Sequence, residues 1–457
     1  MKYTETLKGA KLQSILAVDL QSLDKSYSML RVGILLLFVC VFPASVLGFE
    51  FDPKKFEIKN KVYYDGIRTV RMFPSSNPLD LPIIPLRNGS LELHFDDMYE
   101  GAADFHYTIL HCNADWTPSD LRKADYIDGY QDYFMSDFQH SFNTFVPYTH
   151  FRLRLPNRDM QFKISGNYLL IIFEKGAEYP VLTHRFMVFE PFTSVEGFIR
   201  RPTQLDRMNT HQQVFFRINH PGYVIPDPQR DLKVTILQNQ DWTKVLTNLE
   251  PQFIGNDQLI YERDEGNSFP GGNEYRFFDT KNLMVLTQNV RKIDIDSIFN
   301  VFLAADALRF RSPYVYWDDI NGMYVIRRLD SPNDHTYADY ALVDFFLESP
   351  ARLPGDVYVF GELSEWKLKE EFKLTYNPER LAYQGKILLK QGYYNYHYVT
   401  AIPSADGEKM HASLDFTEGN YWETENAYHV LIYHREIGIR YDRLVGYKYF
   451  QSQPSNR

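Results

Sequence analysis

The chain has 457 residues, 44% of them hydrophobic and 16% aromatic, with 33 Tyr and 34 Phe and a net charge of -10. That length suits about three compact units of ordinary domain size, and the aromatic excess favours strands, where flat rings pack on a pleated surface. Acidic charge spread along the chain without a basic block excludes a nucleic-acid partner, which requires cationic groups set against phosphate.

The first feature in chain order is the 17-residue apolar run 32–48, VGILLLFVCVFPASVLG, preceded by Arg31 and interrupted by Pro43. It is short for a membrane span of about 20 residues and ends in small side chains. It therefore reads as a signal peptide cleaved near Gly48, with Val46 and Gly48 at the cleavage site. Met29 makes a better start than Met1, because residues 1–28 fit no signal n-region and Arg31 then supplies its positive charge. No second apolar run follows, so the mature chain is expected to carry no integral membrane segment and to be exported. Cys40 lies inside the run behind Leu37-Phe38-Val39, which lacks the small residue that a lipid-anchor signal places before its Cys. Cleavage leaves Cys112 alone, so no intrachain disulfide can form, and the thiol is expected to be buried and inert.

The mature chain divides into three sets of short strands, predicting units at 49–192, 193–334 and 335–457. In the first, Leu91, Leu93 and Phe95 alternate with Glu92, His94 and Asp96, a period of two with one face buried. Phe105, Tyr107 and Ile109 repeat the pattern, and the run 168–173 (YLLIIF) reads as a strand covered on both faces. Pro156-Asn157, Gly166-Asn167 and Lys175-Gly176 are turn chemistry. Residues 116–137 are polar and Tyr-rich with no period, predicting a long surface loop packed by its own aromatics. In the second set, Val214, Phe216 and Ile218, then Leu232, Val234 and Ile236, alternate with polar residues. The third set holds Ala341, Val343, Phe345 and Leu347, then the strand from Val357 to Phe360. Many short strands with regular turns predict an all-β chain of tandem immunoglobulin-like sandwiches. No period of 20 to 50 residues points to a solenoid or propeller.

No Gly-x-Ser-x-Gly elbow, His-Glu-x-x-His helix, phosphate-cradling Gly-rich loop or Cys-x-x-Cys is present, so no catalytic residue and no cofactor is expected. His111-Cys112-Asn113-Ala114-Asp115-Trp116 contains competent metal ligands. Neighbouring strand residues point to opposite faces, however, so the segment reads instead as a small core Cys, a local Asn or Asp bond to backbone, and a Trp that anchors the loop. No metal is assigned. His211-Gln212 reads as a hydrogen-bonding strand start. Asn321-Gly322 reads as a tight hairpin turn between Tyr316 and Tyr324.

In the third set, Phe360-Gly361-Glu362-Leu363-Ser364-Glu365-Trp366 and the later Lys390-Gln391-Gly392-Tyr393-Tyr394-Asn395-Tyr396 resemble early-set immunoglobulin-like modules that bind glycogen and related glycans. The resemblance implies the fold of those modules. It departs from them where a second Trp before an Asp-Pro turn is missing and Ala401–Gly407 goes elsewhere. A periplasmic glycan-binding protein is therefore the alternative reading.

A second resemblance runs the length of the mature chain, about Phe56 to Tyr449. Pro82-Ile83-Ile84-Pro85-Leu86, Leu93-His94-Phe95-Asp96-Asp97, His111 to Ser119, Ser141-Phe142-Asn143-Thr144, Thr210 to Val214, Gly272 to Arg276 and Asp319-Ile320-Asn321-Gly322 are similar to phrases of the type IX secretion system plug protein family. Asn113 departs from the Asp that the family phrase usually carries. The resemblance implies a non-catalytic periplasmic protein that is monomeric on its own. It would seal the periplasmic mouth of a large outer-membrane β-barrel translocon, its partner, when no cargo is engaged. Reversible sealing calls for a polar interface of moderate size with a few aromatic anchors. The candidate contacts are Trp116, Trp242, Trp317, Asp318, Asp319, Ile320 and Trp366, with the loop from Trp317 to Gly322 on the face that meets the barrel.

Overall fold

The computed structural model describes residues 56–99, 103–177, 179–263, 266–330, 334–404, 407 and 409–452. The expected signal peptide, start site and Cys40 lie outside these. Almost every described element is a strand, and no helix is long and apolar enough to cross a membrane.

The alternations drive the sheets. Leu91–Asp97 pairs with Ile67–Pro74 on one side and Thr149–Leu155 on the other, and Phe138–His140 closes that four-stranded sheet. Facing it is a sheet in the order Lys61–Val62, Leu182–Phe189, Gly166–Glu174, Phe105–Cys112 and Asp132–Phe134, with Ile83–Pro85 parallel to Leu182–Phe189. Leu91, Leu93, Phe95, Phe151, Tyr107, Ile109, Leu170 and Ile172 from the two sheets meet in one core. The strand through 168–173 is buried on both faces, as its unbroken apolar run predicts.

A second sandwich sets Ser194–Arg200, His211–Asn219 and Gln258–Tyr261 against a sheet of Val245–Leu246, Leu232–Gln238, Ala427–His434 and Arg443–Gln451. Its core joins Val214, Phe216 and Ile218 to Val234, Ile236, Val430 and Ile432. Half of one of its sheets thus comes from residues 427–451, which return from the third region of the chain. Beside a two-stranded pairing of Ile127–Gly129 with Met160–Phe162 in the first region, an 11-stranded sheet runs from Arg276–Asp279 through Gly392–Pro403, Val357–Phe360, Lys373–Asn377, Ala382–Lys390 and Tyr340–Glu348 to Phe299–Leu303 and Val290–Ile295. Its strands share a single apolar cluster in which Phe278, Tyr394 and Tyr396 meet Val343, Phe345 and Val359.

Three local expectations need correction. The segment 116–137 is not a featureless loop: it contains a turn of helix, Lys123–Tyr126, and the strands Ile127–Gly129 and Asp132–Phe134, because buried Tyr126 and Ile127 tie it to the first core. Asn321-Gly322 does turn with both φ angles positive, 53° and 80°, but no hairpin joins Tyr316 to Tyr324. Tyr324–Ile326 pairs instead with Gly392–Tyr394, and Tyr316 lies in no strand. A side chain at 322 would strike the rings of Trp366 at 2.4 Å and Tyr275 at 2.5 Å, which is why only Gly fits. Finally, the polar face of Leu91–Asp97 is not solvated. His94 and Asp96 are as buried as the apolar face, since the large sheet packs over them, with Lys390 and Tyr340 bonded to Asp96.

Candidate functional site

The four Trp singled out by the sequence fall into two pairs. Trp116 and Trp242 meet edge to face at 5.1 Å, and the Arg185 guanidinium lies 4.3 Å from the first ring and 5.2 Å from the second. They belong to an apolar cluster of Leu81, Ile83, Cys112, Met187, Leu237, Leu431 and Leu444 that joins the first sandwich to the second. Polar bonds reinforce this joint. Asp442 accepts from the Ala114 N–H at 3.0 Å, Arg435 donates to Asn113 Oδ1 at 2.8 Å, and Tyr433 donates to Asn167 Oδ1 at 2.8 Å. Cys112 lies in the cluster and burial pushes its thiol up to about 12. His111 turns to the other face, bonded to Ser119 Oγ at 2.9 Å. The two residues do not share a ligand space. Asp115 caps its own turn by accepting from Thr117.

Trp317 and Trp366 gather around Tyr275. Trp317 Nε1 donates to the Tyr275 carbonyl at 2.8 Å and its ring lies 4.9 Å from the Arg309 guanidinium, while Trp366 packs on Tyr275 and Phe360. Asp319 accepts from the N–H of Tyr275 at 2.5 Å and of Asn321 at 2.6 Å, and the Ile320 N–H donates to Asn395 at 2.6 Å. Asp318 is exposed, with the Tyr316 hydroxyl 2.5 Å away. Within this loop, therefore, Tyr316 and Asp318 reach solvent while Trp317, Asp319 and Ile320 bind the loop to the sheet. Trp366 is only half-buried and contributes, with Phe360, Leu368, Val399 and Met410, to a cleft between the second sandwich and the large sheet.

Beside the loop, Glu274, Asp319 and Glu425 converge. Burial, with Glu274 nearby, pushes Asp319 well above the usual carboxylate range, and burial lifts Glu274 to about 7. Glu274 accepts from the Tyr314 hydroxyl and from the Glu425 N–H. These carboxyls thus serve as acceptors that shape the loop.

The feature that sequence reasoning missed is an aromatic ridge. From Tyr130 to Phe145 the chain crosses from the outer strand of one sheet of the first sandwich, Asp132–Phe134, to the outer strand of the other, Phe138–His140. Along it Tyr130, Phe134, Phe138, Phe142 and Phe145, joined by Tyr337, are each between 39% and 65% exposed. Neighbours fix their rings: Tyr133 lies between Tyr130 and Phe134, Phe138 packs on Phe151, Phe142 on Tyr337 and Phe145 on Phe299. Backbone bonds hold the path, with Met135 N–H donating to Phe105 at 2.7 Å and Phe142 N–H to Thr336 at 2.9 Å. The signal in the sequence was a Phe at every fourth position, 134, 138 and 142, a spacing that puts all three on one face of an extended chain.

Asp96 lies where the four-stranded sheet meets the large one. It accepts from Lys390 Nζ at 2.6 Å, from Tyr340 OH at 2.7 Å and from His150 at 2.6 Å. Burial opposes its charge, but Lys390 and His150 overcome that and hold the carboxyl at about 2. Lys390 also donates to the His335 carbonyl at 2.7 Å.

Comparison with known proteins bears on these surfaces. No curated protein matches the chain. A crystal structure at 2.30 Å resolution of a hypothetical protein from Parabacteroides merdae ATCC 43184 is similar at 34% identity and a TM-score of 0.82, over 87% of this chain and 100% of that one. A structure described as BspA_C_mut aligns at 7% identity and a TM-score of 0.12 over 84% of this chain and 98% of that one, which carries no argument. Residues 67–190, the first sandwich with its ridge, match the family described as the type 9 secretion system plug protein, first domain. The chain belongs to the type 9 secretion system plug protein family.

Proposed function

We propose that this protein is a periplasmic plug, which binds and seals the periplasmic end of the large outer-membrane β-barrel translocon of the type IX secretion system when no cargo occupies it. Family membership supports a part in that secretion system, and the observation that carries the contact is the aromatic ridge on the matched domain. Solvent-facing aromatic rings held in place by packing are the usual anchors of a protein interface. The ridge also runs over the outer strands of both sheets, Asp132–Phe134 and Phe138–His140. An uncovered strand edge offers backbone groups to another chain. The expected interface centres on Phe134, Phe138 and Phe142, with Tyr316 and Asp318 as a separate exposed loop. The protein acts through shape and contact, with no reaction.

The test is recovery of the barrel subunit from envelope extract on purified mature protein. Phe134, Phe138 and Phe142, all replaced by Ser, are expected to reduce recovery by about tenfold or more, since interface anchors each carry about 2 kcal/mol. Circular dichroism should be unchanged, because these rings are exposed. Undiminished recovery would remove the ridge from the interface, and recovery of no barrel by the parent protein would remove the plug reading itself.

A further inference from the structure

The structure brings three histidines together from positions that no spacing connects. His94 and His150 lie diagonally across adjacent strands of the four-stranded sheet, whose register sets His94 opposite Arg152 and Asp96 opposite His150, and His335 lies on the short helix Asp334–Tyr337 that precedes the large sheet's strand Tyr340–Glu348. His94 and His150 are buried and His335 half-buried. The His335 ring stacks at 4.4 Å on His94 and 4.8 Å on His150. A ring nitrogen from each lies within 4.8 Å of the others, the one grouping of this kind among the described residues.

The outer nitrogens of the two sheet histidines are already held. His150 Nδ1 is 2.6 Å from an oxygen of Asp96, and His94 Nε2 is 3.1 Å from an oxygen of Glu92. A carboxylate only accepts, so each of these nitrogens carries its proton. The remaining nitrogens, His94 Nδ1 and His150 Nε2, then face each other lone pair to lone pair at 3.0 Å. Two such lone pairs at that distance require a cation: one extra proton held between them, or a metal ion. The carboxylate–histidine–metal relay is how proteins fix the tautomer and orientation of a ligating imidazole. Here it occurs twice. In a tetrahedral zinc site with bonds of about 2.0–2.1 Å the ligand nitrogens stand about 3.4 Å apart, so the pair is within a few tenths of an ångström of that spacing. Access exists from two sides. One cleft is lined by Arg71, Phe73, Glu92, His94, His150 and His335, and a second by His94, Gln139, His150, Arg152, His335 and Thr336.

We propose that His94, His150 and His335 bind one divalent transition-metal ion of the zinc class through His94 Nδ1, His150 Nε2 and a ring nitrogen of His335, with Asp96 and Glu92 as the supporting carboxylates. The His335 ring, stacked on the other two, turns out of that stack to point a nitrogen at the ion, and a fourth position stays open to water or a partner's side chain. The ion displaces the shared proton and clamps the helix Asp334–Tyr337 to the first sandwich. That helix supports one end of the aromatic ridge, through Phe142 N–H on the Thr336 carbonyl and the Phe142 ring on Tyr337. Nothing in this inference depends on which partner the ridge meets.

The mature protein, stripped with a chelator, is titrated with zinc(II) against a chromophoric competitor. One equivalent is expected to bind, and His335→Ala should weaken that site by about tenfold or more, while His140→Ala, an exposed surface histidine, should leave it unchanged. Cobalt(II) gives a readout independent of any variant. Intense visible bands from a four-coordinate, nitrogen-rich site are expected, and only weak six-coordinate bands would overturn the proposal. Equal zinc affinity in the parent and in the triple variant His94→Ala, His150→Ala, His335→Ala would overturn it too. Should the triple variant fail to fold, the His335→Ala titration and the cobalt spectrum still decide.

Discussion

Replacing Trp116 by Ala should loosen the joint between the first and second sandwiches while leaving the aromatic ridge intact. Truncating a buried Trp to Ala costs about 3–5 kcal/mol, the lost transfer free energy plus the cavity left behind. Trp116 is 8% exposed, stands edge to face with Trp242 at 5.1 Å and lies 4.3 Å from the Arg185 guanidinium. The aromatic pair and the cation–π contact, each about 1 kcal/mol, are already inside the truncation figure. The cavity has no easy collapse, because Arg185 is fixed by two bonds to the Ile58 carbonyl at 2.6 and 3.0 Å. Trp116 sits at a φ of 64°, and Ala keeps that left-handed backbone, so strain cancels between the two proteins. A loss of about 4 kcal/mol follows, which for a chain of this size lowers the thermal midpoint by roughly 5–10 °C. Urea unfolding followed by circular dichroism measures it, alongside recovery of the barrel below the transition. An unchanged midpoint together with lost recovery would refute the reasoning, since it would make Trp116 a partner contact and not a joint residue.

Two further outcomes follow from buried charge. Breaking the Lys390–Asp96 pair with Lys390→Met strands a carboxylate inside the protein and should cost about 3–5 kcal/mol. The double variant with Asp96→Asn should cost less than the sum of the two single changes, as measured by a double-mutant cycle in urea; strict additivity would show that the pair is not coupled. Glu274 keeps its proton up to about pH 7 when folded, whereas its ordinary value is 4.5. The folded state therefore binds the proton more tightly, so this contribution is complete below 4.5 and disappears as pH rises through about 7, by at most about 3 kcal/mol. Glu274→Gln keeps an acceptor for Tyr314 and the Glu425 N–H, and should flatten the decline in thermal midpoint between about pH 5 and about pH 8. An equal decline in both proteins would exclude Glu274 as its source.

Much of the strand inventory was legible because alternation is a local property: Leu91, Leu93 and Phe95 face inward wherever that sheet is placed, and YLLIIF is covered on both sides in any arrangement. The family was legible too, from phrases such as the one running from His111 to Ser119. The turn at Asn321-Gly322 was also readable, but not its partner strand, since pairing Tyr324 with Tyr394 depends on residues 70 positions away.

What composition and pattern determined by themselves is an all-β chain with no enzyme motif in its sequence, while the family came from the resemblance of its phrases. Only the tertiary structure decided which polar residues are interior and which aromatic residues are exterior. His94 and Asp96 read as a solvated face until the large sheet packs over them, and His150 and His335 join them through strand pairing and a chain return that no spacing encodes. Conversely Phe134, Phe138 and Phe142 lie outside, because the chain there runs along the sandwich edge, where no second layer covers it. Burial is set by what packs against a segment, and a segment carries no information about its distant neighbour.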